Sequence, residues 1–425
     1  MKASPIPVCA IESPPTTLPA SVGHNASQWE SRHCRIVQTP VYLDYHATTP
    51  VDPRVCERML PYFGPKFGNA ASRTHRFGWE AEKAVEKARH QVAALIGAEA
   101  RDIIFTSGAT ESNNLALKGV FEACRNRGKH LVTMTTEHQA VLDPIRHLER
   151  QGAHATLLAP CPDGRIDLDA LREAIQPQTL LVSVMAANNE IGVLQPLDEI
   201  GAICRERGVL FHSDAAQALG KAATQVEDQN IDLMSLTAHK IYGPKGVGAL
   251  YLRPKARSLL AAQIDGGGHE GGYRSGTLNV PAIVGFGAAC AICAEEMHAE
   301  SVRVGRLRDR LERRLFSELD GITRNGPREG RLPGNLNLTF AGVDASALLM
   351  GLPELALSTG SACSSATAGP SHVLLALGLS DESARSSIRF GLGRYTTGEE
   401  VDFAASRIIE VVQKLRGLSP VPARA

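Results

Sequence analysis

Nothing in this 425-residue chain tips its charge, because 45 Lys and Arg stand against 45 Asp and Glu. No global field therefore favours nucleic acid or an anionic membrane surface. No apolar run approaches the roughly 20 residues of a membrane-crossing helix. A soluble, cytoplasmic enzyme is expected. The nine cysteines lack the paired spacings of a zinc site, and an odd number of scattered thiols argues for a reducing compartment. The only C-x-x-C, Cys290 and Cys293, sits in the small-residue, helix-like run "VGFGAACAICAEE" with no second pair nearby, so no metal or redox site is expected there. Residues 1–40 are rich in Pro, Ser and Thr and lack the basic start and apolar middle of a signal peptide, which predicts a flexible extension.

Two nucleotide fingerprints are missing as well. "GPKGVG" has no Ser or Thr after Lys245 and lacks the glycine spacing of a phosphate-binding P-loop. No G-x-G-x-x-G opens a first βαβ unit.

From about residue 80 to 295 helical and strand-like segments alternate, as in a parallel sheet covered by helices. "WEAEKAVEKARHQVAALIG" places Ala84, Val85, Ala88, Val92 and Leu95 on one stripe. Strands are predicted at "DIIFTSG", "HLVTM", "ATLLA", "TLLVSVMA", "GVLFHSD" and "LMSLTAHK". The final third changes character, with the charged amphipathic run "SVRVGRLRDRLERRLFSEL" followed by "GNLNLTF" and "SSIRFGLGR". The expected layout is an extension over 1–40, a large domain over 41–295 whose first residues pack on the small domain, and a smaller C-terminal α+β domain over 296–425.

Ligands of open α/β sheets collect at the carboxyl ends of the strands, and three such ends are polar here. Ser107-Gly108-Ala109-Thr110 leaves a strand and opens a helix, whose free N–H groups suit an anion. Asp214 lies just past a β-rich run, with Gln217 one helical turn on. Lys240 ends another run and precedes the rigid Gly243-Pro244-Lys245-Gly246 loop. A phosphate turn, an acid and a lysine able to form a Schiff base together describe a pyridoxal 5'-phosphate site.

The motifs "YLDYHATTPVDPRV", "FTSGATESNN", "TTEHQAV", "NNEIG", "DAAQALGK", "SLTAHKIYGPKG", "GGGHE", "RSGTLNV", "STGSACSS" and "SSIRFGLGRYTT" run in order from about Val41 to Asp402. They resemble those of the cysteine desulfurases of the NifS/IscS type, fold-type I pyridoxal phosphate enzymes of the class V aminotransferase group. The resemblance implies that Lys240 is the Schiff-base lysine, that Asp214 pairs with the pyridine nitrogen and that His138 stacks on the ring. Ala109, Thr110, Thr237 and His239 would hold the phosphate, helped by Thr277 of a partner subunit in a homodimer. Asn189 and Gln217 would contact the cofactor and the substrate end of the ring, and Arg389 the substrate carboxylate. Cys363, in a loop of small polar residues, would take the sulfur of L-cysteine as a persulfide, with alanine released. It would pass the sulfur to an acceptor or iron-sulfur scaffold protein and transiently meet a cluster; no resident metal is expected.

A selenocysteine lyase or cystine C–S lyase would share every cofactor residue, but the cysteine of "GSACSS" favours the desulfurase. A non-catalytic docking subunit would be expected to lose Lys240 or Cys363. Three features depart from the family pattern. Gly271 stands where "HERG" has arginine, Gly391 stands where serine is common, and "KLRGLSPVPARA" lacks the longer tail that housekeeping members present to a scaffold.

Overall fold

The computed structural model describes residues 37–360 and 369–418. Cys363, most of the predicted N-terminal extension and residues 419–425 lie outside the described residues.

The first strand, β1 (Val41–Tyr42), joins a C-terminal partner described below. The main sheet is built from β2 (Ile103–Thr106), β3 (His130–Met134), β4 (His154–Leu158), β5 (Thr179–Ser183), β6 (Leu210–Asp214), β7 (Leu233–Thr237) and β8 (Gly248–Leu252). Their order across the sheet is β2-β8-β7-β6-β5-β3-β4. Neighbours from β4 to β7 are parallel, and β8 runs antiparallel to both β7 and β2. The sheet is therefore mostly parallel and flanked by helices, in keeping with the expected fold-type I architecture.

Alternation along each strand sends side chains to two different cores. Val132, Met134, Phe211, Met234, Ala249 and Tyr251 face one side, where they meet Val85, Ala88 and Val92 of helix Arg76–Leu95 and Phe286 of helix Val280–Glu318. Leu131, Leu181, Leu210, Leu233, Leu250 and Leu252 face the other, against Leu115 and Phe121 of helix Ala109–Cys124 and Val141 and Ile145 of helix Gln139–Glu149. Burial on both faces is why these strands read as nearly continuous apolar runs. The strand β8 escaped the sequence reading because its "GALYL" follows directly on the Gly-Pro-Lys-Gly loop.

A second, smaller sheet pairs β10 (Asn335–Phe340) antiparallel with β9 (Ile322–Arg324) and with β12 (Ser387–Gly391). Its core joins Leu336, Leu338, Phe340, Ile388 and Phe390 to Val401, Ile408 and Val412 of helix Gly398–Leu418. Val41 and Leu43 belong to this same core, and β1 pairs in parallel with β11 (Leu355–Ala356). The described residues thus begin on the C-terminal core before entering the main sheet.

The expected boundary near residue 296 falls inside one continuous helix, Val280–Glu318. Its first half buries Phe286, Cys290 and Cys293 in the main core, while its second half buries Val304, Leu311 and Leu315 in the C-terminal one. The helix also holds an 18-residue window of mean hydropathy 1.5, long and apolar enough by length and composition to cross a bilayer, which the sequence reading overlooked. Half of that window is buried within the protein. Cys290 and Cys293 point into the core, and burial pushes both thiols up, Cys293 to about 11. Among the described residues no group of three or more His, Cys, Asp or Glu is placed to hold a metal ion.

Candidate active site

At the carboxyl ends of β2, β5, β6 and β7 lies a cavity of about 550 Å³. Ala109, Thr110, His138, Asn189, Asp214, Gln217, Thr237, His239 and Lys240 all line it. These residues come from five separate sequence motifs, which meet there because most of them end a strand or begin the element after it.

The turn after β2 opens helix Ala109–Cys124 at Gly108, whose φ of 154° favours glycine, and no side chain caps this helix start. The uncapped N-terminus presents N–H donors and the positive end of the helix dipole to the cavity. The turn is braced from below. Thr106 Oγ1 and Ser112 Oγ share a hydrogen bond of 2.8 Å, and Glu111 accepts from Ser107 N at 2.8 Å and from Arg274 Nε at 2.7 Å. Burial alone would raise the Glu111 carboxyl, but Arg274 and the Ser107 N–H outweigh it and hold the group below the usual range.

Asp214 closes β6 and is almost fully buried. Its Oδ2 accepts from Asn113 Nδ2 at 2.7 Å and its Oδ1 from Ala216 N at 2.9 Å. Both bonds favour a carboxylate that can face a cationic ring nitrogen. Gln217 is fixed from two directions: its Nε2 donates to His46 O at 2.9 Å, and its Oε1 lies 3.1 Å from His46 Nδ1.

His138 forms the N-cap of helix Gln139–Glu149, and its Nδ1 accepts from Ala140 N at 3.0 Å. The ring proton of a neutral His138 is therefore on Nε2. Burial and the charge of Lys240 lower its pKa, and Asp214 opposes them. His239, which follows β7, is lowered to about 4 by burial, by Lys240 and by Lys245. Its Nδ1 is 3.1 Å from Thr48 Oγ1, and its carbonyl accepts from Thr49 N and Oγ1, both at 2.9 Å. Lys240 also depresses His46 and Lys221. Four basic side chains thus feel one lysine, which stands at the centre of the site.

Two of the expected residues stand away from the cavity. Thr277 is exposed and is not part of its wall. Arg389, on β12, lies fully buried behind Asn189, with Nη2 donating to Asp44 Oδ1 at 2.7 Å and Nη1 to Asn189 O at 3.0 Å. Its Nε has no partner among the described residues.

Sequence reasoning missed Asn113, His46 and Lys221 as members of this neighbourhood. Each was inside a quoted motif, but their partners or neighbours lie on other elements. Gly271 has φ of 65°, a left-handed backbone that costs an arginine more than a glycine. Just before it, Glu270 grips Arg89 at 2.7 and 2.8 Å and accepts from Phe105 N at 2.7 Å, so the turn is tied under β2 without the arginine.

The donor set has the makings of a holder for a phosphorylated pyridine: an uncapped helix start for an anion, a carboxylate fixed by two N–H donors, and a lysine between them.

The aminotransferase class-V family matches residues 41–403. The cysteine desulfurase IscS of Anaeromyxobacter dehalogenans is 58% identical over 385 residues, covering 91% of this chain and 95% of that protein. The cysteine desulfurase IscS of Rickettsia bellii is 54% identical over 382 residues, covering 90% and 93%. Among solved structures, a NifS-like protein superposes with a TM-score of 0.82 at 37% identity, covering 88% of this chain and 99% of that one. A structure of SspA in complex with cysteine superposes with a TM-score of 0.75 at 38% identity, covering 84% and 100%.

Proposed function

Because the chain belongs to the aminotransferase class-V family, whose members depend on pyridoxal phosphate, we infer that it is a cysteine desulfurase that takes sulfur from L-cysteine and releases L-alanine. The observation that carries this reading is the gathering of Lys240, Asp214 and the uncapped helix start at Ala109 around one cavity, in a chain 58% identical to a cysteine desulfurase.

Pyridoxal phosphate, when bound, supplies an aldehyde carbon for a Schiff base and a protonated ring that accepts an electron pair. The chain's own residues do the rest. Ala109, Thr110, Thr237 and His239 would hold the phosphate, and the Asp214 carboxylate would face the ring nitrogen. His138, neutral with its proton on Nε2, and Gln217 would hold the ring. Lys240 would hold the cofactor's aldehyde carbon and serve as the base for the cysteine Cα proton. Asn189 faces the substrate carboxylate, and Arg389, held behind Asn189 by Asp44 and the Asn189 carbonyl, supplies its positive charge from there. Cys363 attacks the substrate sulfur, so that the Cβ–S bond breaks, an S–S bond forms, and the carbon skeleton takes up a proton and leaves as alanine.

The exposed position of Thr277, outside its own chain's cavity, supports a homodimer in which it reaches the partner's phosphate site. The free cysteines, Cys56, Cys124, Cys161, Cys204, Cys290 and Cys293 among the described residues, support a reducing, cytoplasmic setting. The persulfide would pass to an acceptor or scaffold protein for iron-sulfur cluster assembly or another sulfur-transfer route.

The test is to incubate the enzyme with L-cysteine, alkylate it and locate the persulfide by peptide mass spectrometry. The expected result is sulfur on Cys363 and loss of alanine release in Cys363→Ser. Alanine release near the wild-type rate in that variant would make the protein a C–S lyase instead.

A further inference from the structure

Apart from the site cavity lies a much smaller void of about 20 Å³. His46, Lys221, Tyr242, Glu300, Ser301 and Gly393 are among its walls. Its volume suits about one water molecule.

Two polar atoms beside this void have no partner among the described residues: His46 Nε2 and Lys221 Nζ. Both atoms are shut away from solvent, although Lys221 as a whole residue is partly exposed. A buried polar group without a partner is costly, and such groups are nearly always satisfied. Glu300 does not fill the need: its Oε1 accepts from Tyr242 Oη at 3.2 Å and its Oε2 from Arg394 Nε at 2.7 Å, and neither oxygen bonds Lys221 Nζ.

The proton inventory at His46 can be worked out from its neighbours. Gln217 Nε2 donates to the His46 carbonyl, which fixes the orientation of the amide and turns Oε1 toward the His46 ring. Oε1 can only accept, so the ring proton is on Nδ1. Burial, followed by the charges of Lys221 and Arg389, keeps this histidine neutral. Its Nε2 is then a bare acceptor. Lys221 Nζ, charged or neutral, is a donor. An unpartnered acceptor and an unpartnered donor flank a space the size of one water.

The geometry points to a single water held in this void, receiving a hydrogen bond from Lys221 Nζ and donating one to His46 Nε2, which makes Lys221 a positioning residue for Gln217. The chain of contacts runs Lys221, water, His46, Gln217. Its effect is to lock His46 in the Nδ1–H tautomer and Gln217 in the orientation that leaves one amide N–H for the cavity. An N–H aimed there is the polarity required by an anionic oxygen on the ring edge. This last step rests on the proposed cofactor; the water and the tautomer do not.

The experiment uses the holoenzyme and the variants Lys221→Met, which removes the donor, and Lys221→Gln, which keeps an N–H without the charge. The expected crystallographic result is one ordered water within about 3 Å of both Lys221 Nζ and His46 Nε2, retained in Lys221→Gln and lost in Lys221→Met. Nitrogen-15 histidine spectra should show His46 as the neutral Nδ1–H tautomer in the wild type and Lys221→Gln. Cofactor affinity should fall roughly five- to tenfold in Lys221→Met and recover in Lys221→Gln. A dry void in the wild type, an Nε2–H tautomer, or equal losses in the Met and Gln variants would overturn the proposal. Should Lys221→Met fail to fold, His46→Asn serves: it keeps a donor toward Gln217 but lacks the far nitrogen. It is expected to lose the ordered water, and a water retained there would overturn the proposal. Persulfide formation on Cys363 is read separately, so failure here is distinguishable from failure of the desulfurase assignment.

Discussion

Asn113 donates its side-chain amide to Asp214 at 2.7 Å, joining helix Ala109–Cys124 to the end of β6 across a hundred residues of chain. Asn113 is fully buried, and its own Oδ1 has no partner among the described residues. The bond serves the carboxylate more than the amide. Asn113→Leu should therefore cost about 1.5–3 kcal/mol of stability, the range for a hydrogen bond to a charged group. It should also weaken cofactor retention. Denaturant unfolding of the cofactor-free protein checks the first expectation, and dialysis against apo-protein the second; a change under about 0.5 kcal/mol would place the bond among the neutral ones.

Lys240→Ala should abolish turnover and the borohydride-reducible cofactor bond. A second effect needs no cofactor. Because the Lys240 charge lowers His138 and His239, its removal should raise the titration midpoints of both rings in the apo-protein. His239 should rise from about 4 yet stay below an ordinary histidine, since burial is the larger cause. Histidine titration by NMR gives both values, and unmoved midpoints would contradict the central placement of Lys240.

Lys221 gives a stability effect with a definite sign. Burial first, then Lys240, lowers its folded-state pKa from 10.5 to about 7, with Arg389 adding to them and Glu300 and Cys293 opposing. His46, Tyr45 and Tyr242 are its other ionisable neighbours around the small void. Between those two pH values the unfolded chain holds a proton that the folded protein has released, so stability rises with pH across that window. Below about pH 7 both states are protonated and the full penalty of burying the charge applies. Lys221→Met should flatten this rise, so that wild type gains roughly 2–4 kcal/mol on the variant between pH 7 and 10. Parallel pH-stability curves for the two proteins would refute it.

Gly271→Arg installs the arginine of the family pattern that the motifs resemble. At φ of 65° a Cβ would meet only the Tyr273 ring, at 3.7 Å, so the Cβ itself fits and backbone strain decides. The expected loss is about 1 kcal/mol, measured as a shift in denaturation midpoint. A gain in stability would mean that the turn relaxes out of the left-handed region.

The parts of this protein that were legible in its sequence are those where one segment carries the whole signal. β3, "HLVTM", is buried along its full length and reads as a strand without help from its neighbours. The strand-end residues Asp214 and Lys240 were legible because β6 and β7 end at or just before them. The rest depends on contacts between distant segments. His46 matters through Gln217, 171 positions away, and no local pattern marks either as the other's partner. The boundary placed near residue 296 falls inside one continuous helix for a related reason. Composition there turns from small and apolar to charged, but that change marks where one helix passes from one core to the other.

The parallel pairing of β1 with β11 sets a timetable for biosynthesis. Val41 and Tyr42 leave the ribosome early, but their partners Leu355 and Ala356 follow some 300 residues later. At about 5–20 residues per second the first strand waits roughly 15–60 s for its place. Throughout that wait the main sheet can form while Val41 and Leu43 remain uncovered, so the nascent chain presents to chaperones a short apolar segment that the finished protein hides completely.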